Sequence, residues 1–100
     1  MLKIGHRGAS GYELENSLKS FQKAIRLGVQ HIELDVQSTL DNKLIVFHDK
    51  YLDRCTDSRG MVKSNTLLEL KKNVTLTNGE QIPTLEEACH LFSKNQVKGL

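Results

Sequence analysis

The apolar residues at the start of the chain change from strand spacing to helical spacing. Leu2, Ile4 and His6 share one face at the period of a strand, which predicts a short strand that opens into a glycine-containing loop. Apolar residues then recur at helical spacing as far as about Leu27. Asn16 or Ser17 can cap this helix, and Gly28 can end it. The sequence therefore begins with a predicted strand and a predicted helix.

The next stretch has one apolar and one acidic face. In an extended strand, Ile32, Leu34 and Val36 point to one side, whereas Glu33 and Asp35 point together to the other. Two carboxylates side by side repel each other unless a cation or a basic side chain lies nearby. The pattern predicts a single strand, and the acidic face is a candidate site on it.

A nearly all-apolar run follows over 44–47, which is typical of a strand covered on both faces, and it ends at His48. The Asp-Asn pair at 41–42 predicts a turn. Only about eight residues separate Asp35 from Leu44, fewer than the roughly dozen that a parallel crossover takes, so an antiparallel hairpin is favoured locally. A shared site would instead require Asp35 and His48 at the same rim. Both arrangements stay open on local pattern alone.

The second half of the chain contains two helix starts and a turn. Thr66 with Glu69 and Thr84 with Glu87 have the spacing of capping boxes, and the second predicted helix runs to about residue 94. The Asn-Gly pair at 78–79 predicts a tight turn between them.

The order of elements defines the fold class. The last residues, 97–100, are typical of the approach to another strand. Strand, helix, strand, strand, helices and strand is the order of an α/β protein. We see neither an internal repeat nor a linker, so the pattern predicts one domain.

Composition narrows the class of protein. The net charge of +2 is small and aromatics make up 5% of residues, which argues against nucleic acid as a partner. No apolar run reaches the ~18 residues of a membrane span, and no apolar signal segment precedes the first strand. We therefore expect a cytoplasmic protein, with Cys55 and Cys89 as reduced thiols.

Four side chains form a candidate reaction site. Glu33 and Asp35 offer the oxygen ligands that Mg²⁺ or Ca²⁺ takes, although an acidic pair that simply faces solvent is the commoner case. His6 and His48 each end a predicted strand, and histidine exchanges protons near neutral pH. One histidine is usually structural, but two at strand ends beside charged residues are candidates for acid–base catalysis.

Arg7 adds a group that binds anions. Its planar guanidinium matches phosphate oxygens, and Gly5 and Gly8 on either side allow close approach of a substrate. His31 is expected to be structural, and His90 is expected to lie on a helix surface. The metal, arginine and histidine groups together predict a site for an anionic phosphoester.

The sequence resembles the glycerophosphodiester phosphodiesterase family over nearly its whole length. The matching positions, in order, are His6–Gly8, Glu15–Ser17, Glu33–Val36, Thr39, Asp41, Val46–Asp49, Leu52–Arg54, Thr56, Gly60, Val62 and Ile82–Glu87. Their number and spacing make chance agreement implausible.

The resemblance implies the N-terminal portion of a (β/α)₈ TIM barrel, incomplete in this chain, with the site at the carboxyl ends of the strands. It implies one partial domain over 1–100 with a small insertion at about 50–83. The strands carrying Asp35 and His48 would be joined without a full helix, so that both reach one rim.

The resemblance also implies an activity and roles. The reaction is metal-dependent hydrolysis of a glycerophosphodiester to glycerol 3-phosphate and an alcohol, with the head group left open. By this match His6 and His48 form the acid–base pair. Arg7 binds the phosphoryl group, and Glu33 and Asp35 bind Mg²⁺ or Ca²⁺.

Two departures from the family pattern bear on these expectations. Leu14 stands where the family has proline before its Glu-Asn pair. The family's third metal-binding carboxylate is expected beyond Leu100. We therefore expect the 100-residue chain to be inactive alone and to associate with itself or with the rest of a barrel through an exposed edge beside 44–47.

Other functions remain possible from sequence. A phosphoinositide-specific phospholipase C or a sphingomyelinase-D-like enzyme shares the histidine and acid arrangement. The matches at Thr39, Asp41, Leu52 and Arg54 favour the phosphodiesterase family. A catalytically inactive, truncated assembly subunit is the alternative from another class.

Overall fold

The structure is a computed structural model that describes residues 4–8, 13–29, 31–94 and 98–99. Its elements, in chain order, are β1 (Ile4–His6), α1 (Leu18–Arg26), β2 (His31–Glu33), β3 (Val36–Ser38), β4 (Leu44–Val46), a 3₁₀ turn (Val62–Ser64), α2 (Leu67–Asn73), α3 (Leu85–Lys94) and β5 (Lys98–Gly99). The predicted α/β order is confirmed. The outer residues of the first and last predicted strands lie outside the described ranges.

A three-stranded parallel sheet forms one side of the molecule. Its strand order is β1-β2-β5, and all neighbours are parallel. Helix α1 connects β1 to β2, as in a βαβ unit. His6 and Glu33 are the last residues of their strands and are partners in register. Because the carboxyl ends of parallel strands lie at one edge, these two residues are brought side by side.

The predicted limits of α1 are confirmed. Ser17 is its N-cap, and the Ser17 side chain accepts a hydrogen bond from the N–H of Ser20. Leu27 is its C-cap, and Gly28 follows with a φ of +79°, which L-residues rarely adopt. A short polar cap and a glycine stop thus set both ends of the helix.

Both predicted capping boxes are also present. Thr66 and Glu69 exchange side chain to backbone hydrogen bonds at the start of α2. Thr84 and Glu87 do the same at the start of α3. The Asn-Gly pair at 78–79 forms the predicted turn, with the glycine at a φ of +89°.

The prediction of one strand across the acidic pair is wrong. Strand β2 ends at Glu33, and β3 begins at Val36 in a second sheet. Between them, the Asp35 carbonyl accepts a hydrogen bond from the N–H of Phe47, and the Asp35 N–H faces the side chain of Asn16. These contacts turn the chain out of the parallel sheet. Val36 is consequently 43% exposed instead of facing the core.

Strands β3 and β4 form an antiparallel hairpin, with Val36 opposite Val46 and Ser38 opposite Leu44. The local turn at 41–42 therefore predicted the correct pairing, and β4 is not a strand of the parallel sheet. The hairpin also brings the end of β4 back to Asp35. Because it returns the chain beside its starting point, the N–H of Phe47 lies 2.9 Å from the Asp35 carbonyl.

The buried apolar side chains form two cores. The sheet-side core contains Phe21, Ala24, Ile32, Val46, Ala88 and Phe92. The insertion-side core contains Ile45, Phe47, Leu52, Cys55, Val62, Leu70, Val74, Leu76 and Ile82. Ile45 and Val46, both fully buried, are neighbours on β4 but belong to different cores. The prediction of a strand covered on both faces is confirmed from Ile45 onward, although Leu44 is 50% exposed.

The expected open edge beside 44–47 is also wrong. The Val46 N–H donates to the Pro83 carbonyl at 2.9 Å, and Ile45 pairs with Thr84 in an antiparallel bridge. The chain entering α3 therefore covers the free side of β4. Among the described residues, the outer strands of the parallel sheet are β1 and β5.

None of the helices in the described part of the chain has the length and apolar character needed to cross a membrane.

Candidate active site

His6 and Glu33 lie at the carboxyl edge of the parallel sheet. The His6 Nε2 atom is 3.5 Å from Glu33 Oε1. Their side chains are 62% and 50% exposed, so both can be reached by a ligand from solvent. This contact follows directly from the register of β1 and β2.

Arg7 follows β1 and lies between two carboxylates. Its Nη1 donates to Glu15 at 3.1 Å, and its Nε lies 3.2 Å from Asp35 Oδ2. The Nε–H is buried and makes no hydrogen bond in the described part of the chain. The backbone at Arg7 has a φ of +51°, and its carbonyl accepts from the Asn16 N–H and the Ser20 hydroxyl. The loop is thus held in a conformation that aims the guanidinium at the acidic edge.

Asn16 holds Asp35. Its side-chain amide donates to Asp35 Oδ2 at 2.9 Å, and its Oδ1 lies 3.4 Å from the Asp35 N–H. Asn16 is 2% exposed and has a φ of +53°. Sequence reasoning considered Asn16 only as a helix cap or as one letter of a matching motif. The signal that it does more was its place in the Glu15–Ser17 match, just before a capped helix.

His48 lies on the hairpin's return, beside Asp49. The His48 Nδ1 is 2.7 Å from Asp49 Oδ1. The Gln37 side-chain amide donates to the carbonyls of Phe47 and Asp49 at 2.8 and 2.7 Å. Gln37 therefore fixes the backbone on both sides of His48, whose own side chain is 42% exposed.

Arg54 joins the hairpin to the loop before α1. Its Nε and Nη2 donate to the two Asp49 carboxylate oxygens at 2.8 and 3.0 Å. Its Nη1 and Nη2 donate to the two oxygens of Glu15, both at 2.9 Å. Since Glu15 also binds Arg7, charged contacts run without a break from His48 to Asp35. Sequence reasoning missed Asp49, Arg54 and Glu15 as site residues, although all three lie in the matched motifs.

The paired charges in this chain stabilise one another. Hydrogen bonds from Arg54, and then from His48, lower the pKa of Asp49 to about 2, against the desolvation that opposes this. Hydrogen bonds from Arg54 also lower the pKa of Glu15. The same bonds to Asp49 and Glu15 raise the pKa of Arg54. All three groups are consequently charged at neutral pH.

Glu33 and Asp35 are the candidate metal ligands. One oxygen of each carries the contacts to His6, Arg7 and Asn16, and the other has no hydrogen-bond partner in the residues that the structure covers. Carboxylate oxygens are what a hard divalent cation takes. Within the same residues, no three His, Cys, Asp or Glu side chains are placed to hold an ion together. The chemistry of the pair fits two ligands of a cation site, which is fewer than such an ion takes.

The five predicted site residues are placed as follows. Direct contacts join His6 to Glu33 and Arg7 to Asp35. His48 reaches this group through the charged chain of Asp49, Arg54 and Glu15.

The remaining histidines and the two cysteines lie at positions of different burial. His31 is partly buried on β2, and His90 is exposed on α3. Both cysteines are free, with Cys55 buried and Cys89 exposed.

Comparison with known proteins identifies the family. Residues 6–98 match the Glycerophosphoryl diester phosphodiesterase family. A glycerophosphodiester phosphodiesterase of Caldanaerobacter subterraneus subsp. tengcongensis is 45% identical over 97 residues, which are 91% of this chain and 40% of the relative. One of Bacillus subtilis is 40% identical over 109 residues, covering 95% of this chain and 37% of the relative.

Solved structures agree. An Oleispira antarctica phosphodiesterase, determined in complex with the product sn-glycerol-3-phosphate, superposes with a TM-score of 0.92 at 34% identity, covering 99% of this chain and 42% of that one. A glycerophosphodiester phosphodiesterase from Thermotoga maritima gives 0.81 at 38% identity, covering 95% and 41%. The chain thus spans about two fifths of the proteins it matches. It belongs to the glycerophosphodiester phosphodiesterase family, and its described residues form part of that family's (β/α)₈ barrel.

Proposed function

We propose that this chain supplies one part of the active site of an enzyme that hydrolyses glycerophosphodiesters to glycerol 3-phosphate and an alcohol. The observation that carries the proposal is the set of contacts gathering His6, Arg7, Glu33 and Asp35 at one edge, with His48 tied to them by paired charges. The sn-glycerol-3-phosphate bound to the Oleispira antarctica protein is consistent with this chemistry.

Arg7 is the proposed ligand of the phosphoryl group. Its Nε–H is buried against Asp35, but the side chain as a whole is 23% exposed, so the outer part of the guanidinium can meet a phosphate oxygen. A guanidinium also stabilises the charge that grows on the phosphoryl oxygens as the reaction proceeds. Glu15 and Asp35 hold the guanidinium in place beforehand.

Glu33 and Asp35 are the proposed ligands of a divalent cation, Mg²⁺ or Ca²⁺. When bound, such a cation supplies positive charge beside the phosphoryl oxygens. The pair's partner-free oxygens support this assignment. The double variant Glu33→Ala, Asp35→Ala should abolish metal-dependent activity in the protein assayed below, whereas Glu86→Ala, an exposed acid of α3, should not. Full activity in the double variant would remove both residues from the site.

His6 and His48 are the proposed acid–base pair. One imidazole takes the proton of the attacking hydroxyl, which belongs to water or to the neighbouring glycerol, and a new P–O bond forms. The bond from phosphorus to the leaving alcohol breaks, and the other imidazole gives that alcohol its proton. Attack by glycerol gives a cyclic phosphodiester that water then opens. Both side chains are open to solvent, which suits this exchange.

A chimera tests the activity, because the chain spans only about two fifths of its relatives. This chain would replace the matched part of the Caldanaerobacter subterraneus enzyme, to which it is 45% identical. Glycerol 3-phosphate released from glycerophosphocholine is then measured with Mg²⁺, with Ca²⁺ and with a chelator. We expect metal-dependent release. A chimera that unfolds cooperatively, as judged by circular dichroism, yet releases no glycerol 3-phosphate would overturn the proposal.

The outer strands support a proposal about association. Strands β1 and β5 each have one neighbour within the described sheet, so further strands, from the same barrel or a second copy, can pair there. We expect the 100-residue chain to sediment as a dimer or larger species. Sedimentation as a monomer at every concentration tested would contradict this expectation.

A further inference from the structure

We infer that Asp49 and Arg54 are positioning residues for His48: Asp49 keeps the imidazole proton on Nδ1, which leaves Nε2 for the substrate, and Arg54 locks Asp49 in that pose. The inference rests on the proposed function only where it gives His48 a part in the reaction. The orientation of the ring itself can be tested without any activity.

The contact with Asp49 places the imidazole proton of His48 on Nδ1. Its Nδ1 lies 2.7 Å from Asp49 Oδ1, which is hydrogen-bond distance. An ionised carboxylate can only accept hydrogen bonds, so Nδ1 must be the donor. In the neutral ring the other nitrogen, Nε2, then carries the lone pair. The low pKa of Asp49, about 2, keeps the carboxylate ionised over the pH range of catalysis.

The Asp49 carboxylate is held in one orientation by its neighbours. Arg54 binds both of its oxygens, with Nε on Oδ2 at 2.8 Å and Nη2 on Oδ1 at 3.0 Å. Two bonds from one planar group prevent the carboxylate from rotating away from His48. On the main chain, Gln37 binds the Asp49 carbonyl at 2.7 Å. Side chain and backbone are thus fixed independently.

Arg54 also links the part of the site that carries His48 to the part that carries Arg7. Arg54 also binds both oxygens of Glu15, which is 39 residues away in the chain. Glu15 in turn binds Arg7, the proposed phosphate ligand. One guanidinium therefore sets the placement of His48 relative to the loop that carries Arg7. A lysine can reproduce this only in part, because an ammonium keeps the charge but lacks the planar fork that binds two carboxylates at once.

A merely structural role for Arg54 makes a different prediction. An ordinary ion pair at a half-exposed position contributes little and leaves the ring of His48 unaffected. The readout must therefore be the tautomer of His48, with stability measured separately. Arg59 provides the matched control, since it is an exposed arginine of the same segment.

The first experiment records imidazole ¹⁵N chemical shifts of the chain at a pH where His48 is neutral. We expect the Nδ1–H tautomer in the wild type and in Arg59→Gln. In Asp49→Asn the side-chain amide can donate to the ring, so the tautomer should change. Arg54→Gln should give a mixture of tautomers, and Arg54→Lys an intermediate result.

Each contrary outcome decides against a stated part of the inference. A wild-type His48 protonated on Nε2 overturns the whole inference. So does an Asp49→Asn variant in which the tautomer of His48 is the same as in the wild type. If Arg54→Gln leaves the tautomer of His48 unchanged, the role assigned to Arg54 is wrong. If both Arg54 variants lose the amide spectrum of a folded chain while Asp49→Asn keeps it, Arg54 serves stability alone and that part also falls.

The second experiment uses the chimera described above. Arg54→Gln should lower kcat about 10- to 100-fold with a smaller change in KM, as for loss of a residue that orients a reacting group. Arg54→Lys should recover part of kcat, and Arg59→Gln should match the parent. An equal loss of kcat in Arg54→Gln and in the control Arg59→Gln would contradict the assignment. An inactive parent chimera would refute the proposed function, and the ¹⁵N measurement would still decide the inference.

Discussion

The sheet side and the insertion side of this molecule are held together by different means. The sheet side consists of β1, β2 and β5 with α1 and α3, and its backbone groups are satisfied by regular helix and strand bonds. The insertion side is named for residues 50–83, the segment expected from the resemblance to be an insertion, and it has one short helix and a 3₁₀ turn. Its loops are closed by isolated backbone hydrogen bonds, such as that from the Asp57 N–H to the Thr75 carbonyl, and by side chains: the Thr56 hydroxyl donates to the Leu52 carbonyl, and Asp57 Oδ1 accepts from the Thr75 N–H.

The candidate site lies where these two regions meet. The sheet side contributes His6, Arg7 and Glu33, whereas the hairpin, which packs on the insertion-side core, contributes His48. Neither region holds both histidines. The geometry of the site therefore depends on the contacts between the regions, and the pairing of Arg54 with Glu15 is the contact that lies within the site.

The first prediction tests whether the sheet side and the hairpin each contribute a histidine to one reaction. In the chimera, His6→Ala and His48→Ala should each lower kcat about 10²- to 10⁴-fold, the usual contribution of general acid–base catalysis. The double variant should lose little more than either single variant, because the two groups act in one reaction. His90→Ala, which removes an exposed histidine of α3, is the control. Losses that multiply in the double variant would mean that the two act independently.

The regular elements could be predicted because their signals are local. Both ends of α1 follow from a cap at Ser17 and a stop at Gly28, and both capping boxes have the spacing of their hydrogen bonds. The hairpin turn at 41–42 was likewise a local signal. These elements form the fold that the family resemblance implied.

The features that could not be predicted depend on contacts between residues far apart in the chain. Alternation continues through Val36 without any breaker, so the end of β2 at Glu33 has no local signal. It is imposed when Asn16 and Phe47 bind Asp35.

The ion pairs that join the two regions, here called the seam, run from Asp49 through Arg54 to Glu15. They could not be predicted from local sequence either. The pairing of Arg54 with Glu15 spans 39 residues. Sequence reasoning proposed residues for the reaction, and it missed the charged residues that contact them.

The second prediction concerns the two cores. Phe21→Ala in the sheet-side core should cost about 3–5 kcal/mol of unfolding free energy, and Leu70→Ala in the insertion-side core about 2–5 kcal/mol, since both side chains are buried. Because β4 packs on both cores, we expect each variant to shift one common urea transition. Leu68→Ala on the same helix, where the side chain is 75% exposed, should have little effect. Two separate transitions would show that the regions unfold independently.

The third prediction compares a glycine from each region. A Cβ at Gly8 would lie 2.2 Å from Ser20 Oγ and 2.8 Å from Phe21 Cδ1, at a φ of +83°. Gly8→Ala should therefore cost about 2–4 kcal/mol, from overpacking and backbone strain together. Gly79 has a similar φ of +89° but open space around it, so Gly79→Ala should cost only about 1 kcal/mol. Equal losses in thermal unfolding would indicate that strain alone decides.

The smallest expected effect is a pH dependence at the seam. The pKa of Asp49, about 2 in the folded chain, lies below its ordinary value of 3.8, chiefly because Arg54 binds it. A lowered carboxyl pKa stabilises the fold above about pH 4, and this stabilisation is lost as the pH falls through about 2. Glu15, whose pKa Arg54 also lowers, acts in the same direction.

Arg54→Gln should therefore reduce the unfolding free energy by about 1–2 kcal/mol at pH 7, a modest value because solvent screens this partly exposed pair. The difference from the wild type should shrink as the pH falls from about 4 towards 2, where Asp49 becomes protonated in both proteins. Urea unfolding at several pH values measures it, with Arg59→Gln as the variant of equal charge. If the loss in Arg54→Gln stays constant down to pH 2, its cause is packing, and the carboxylates at the seam do not depend on Arg54 for their charge.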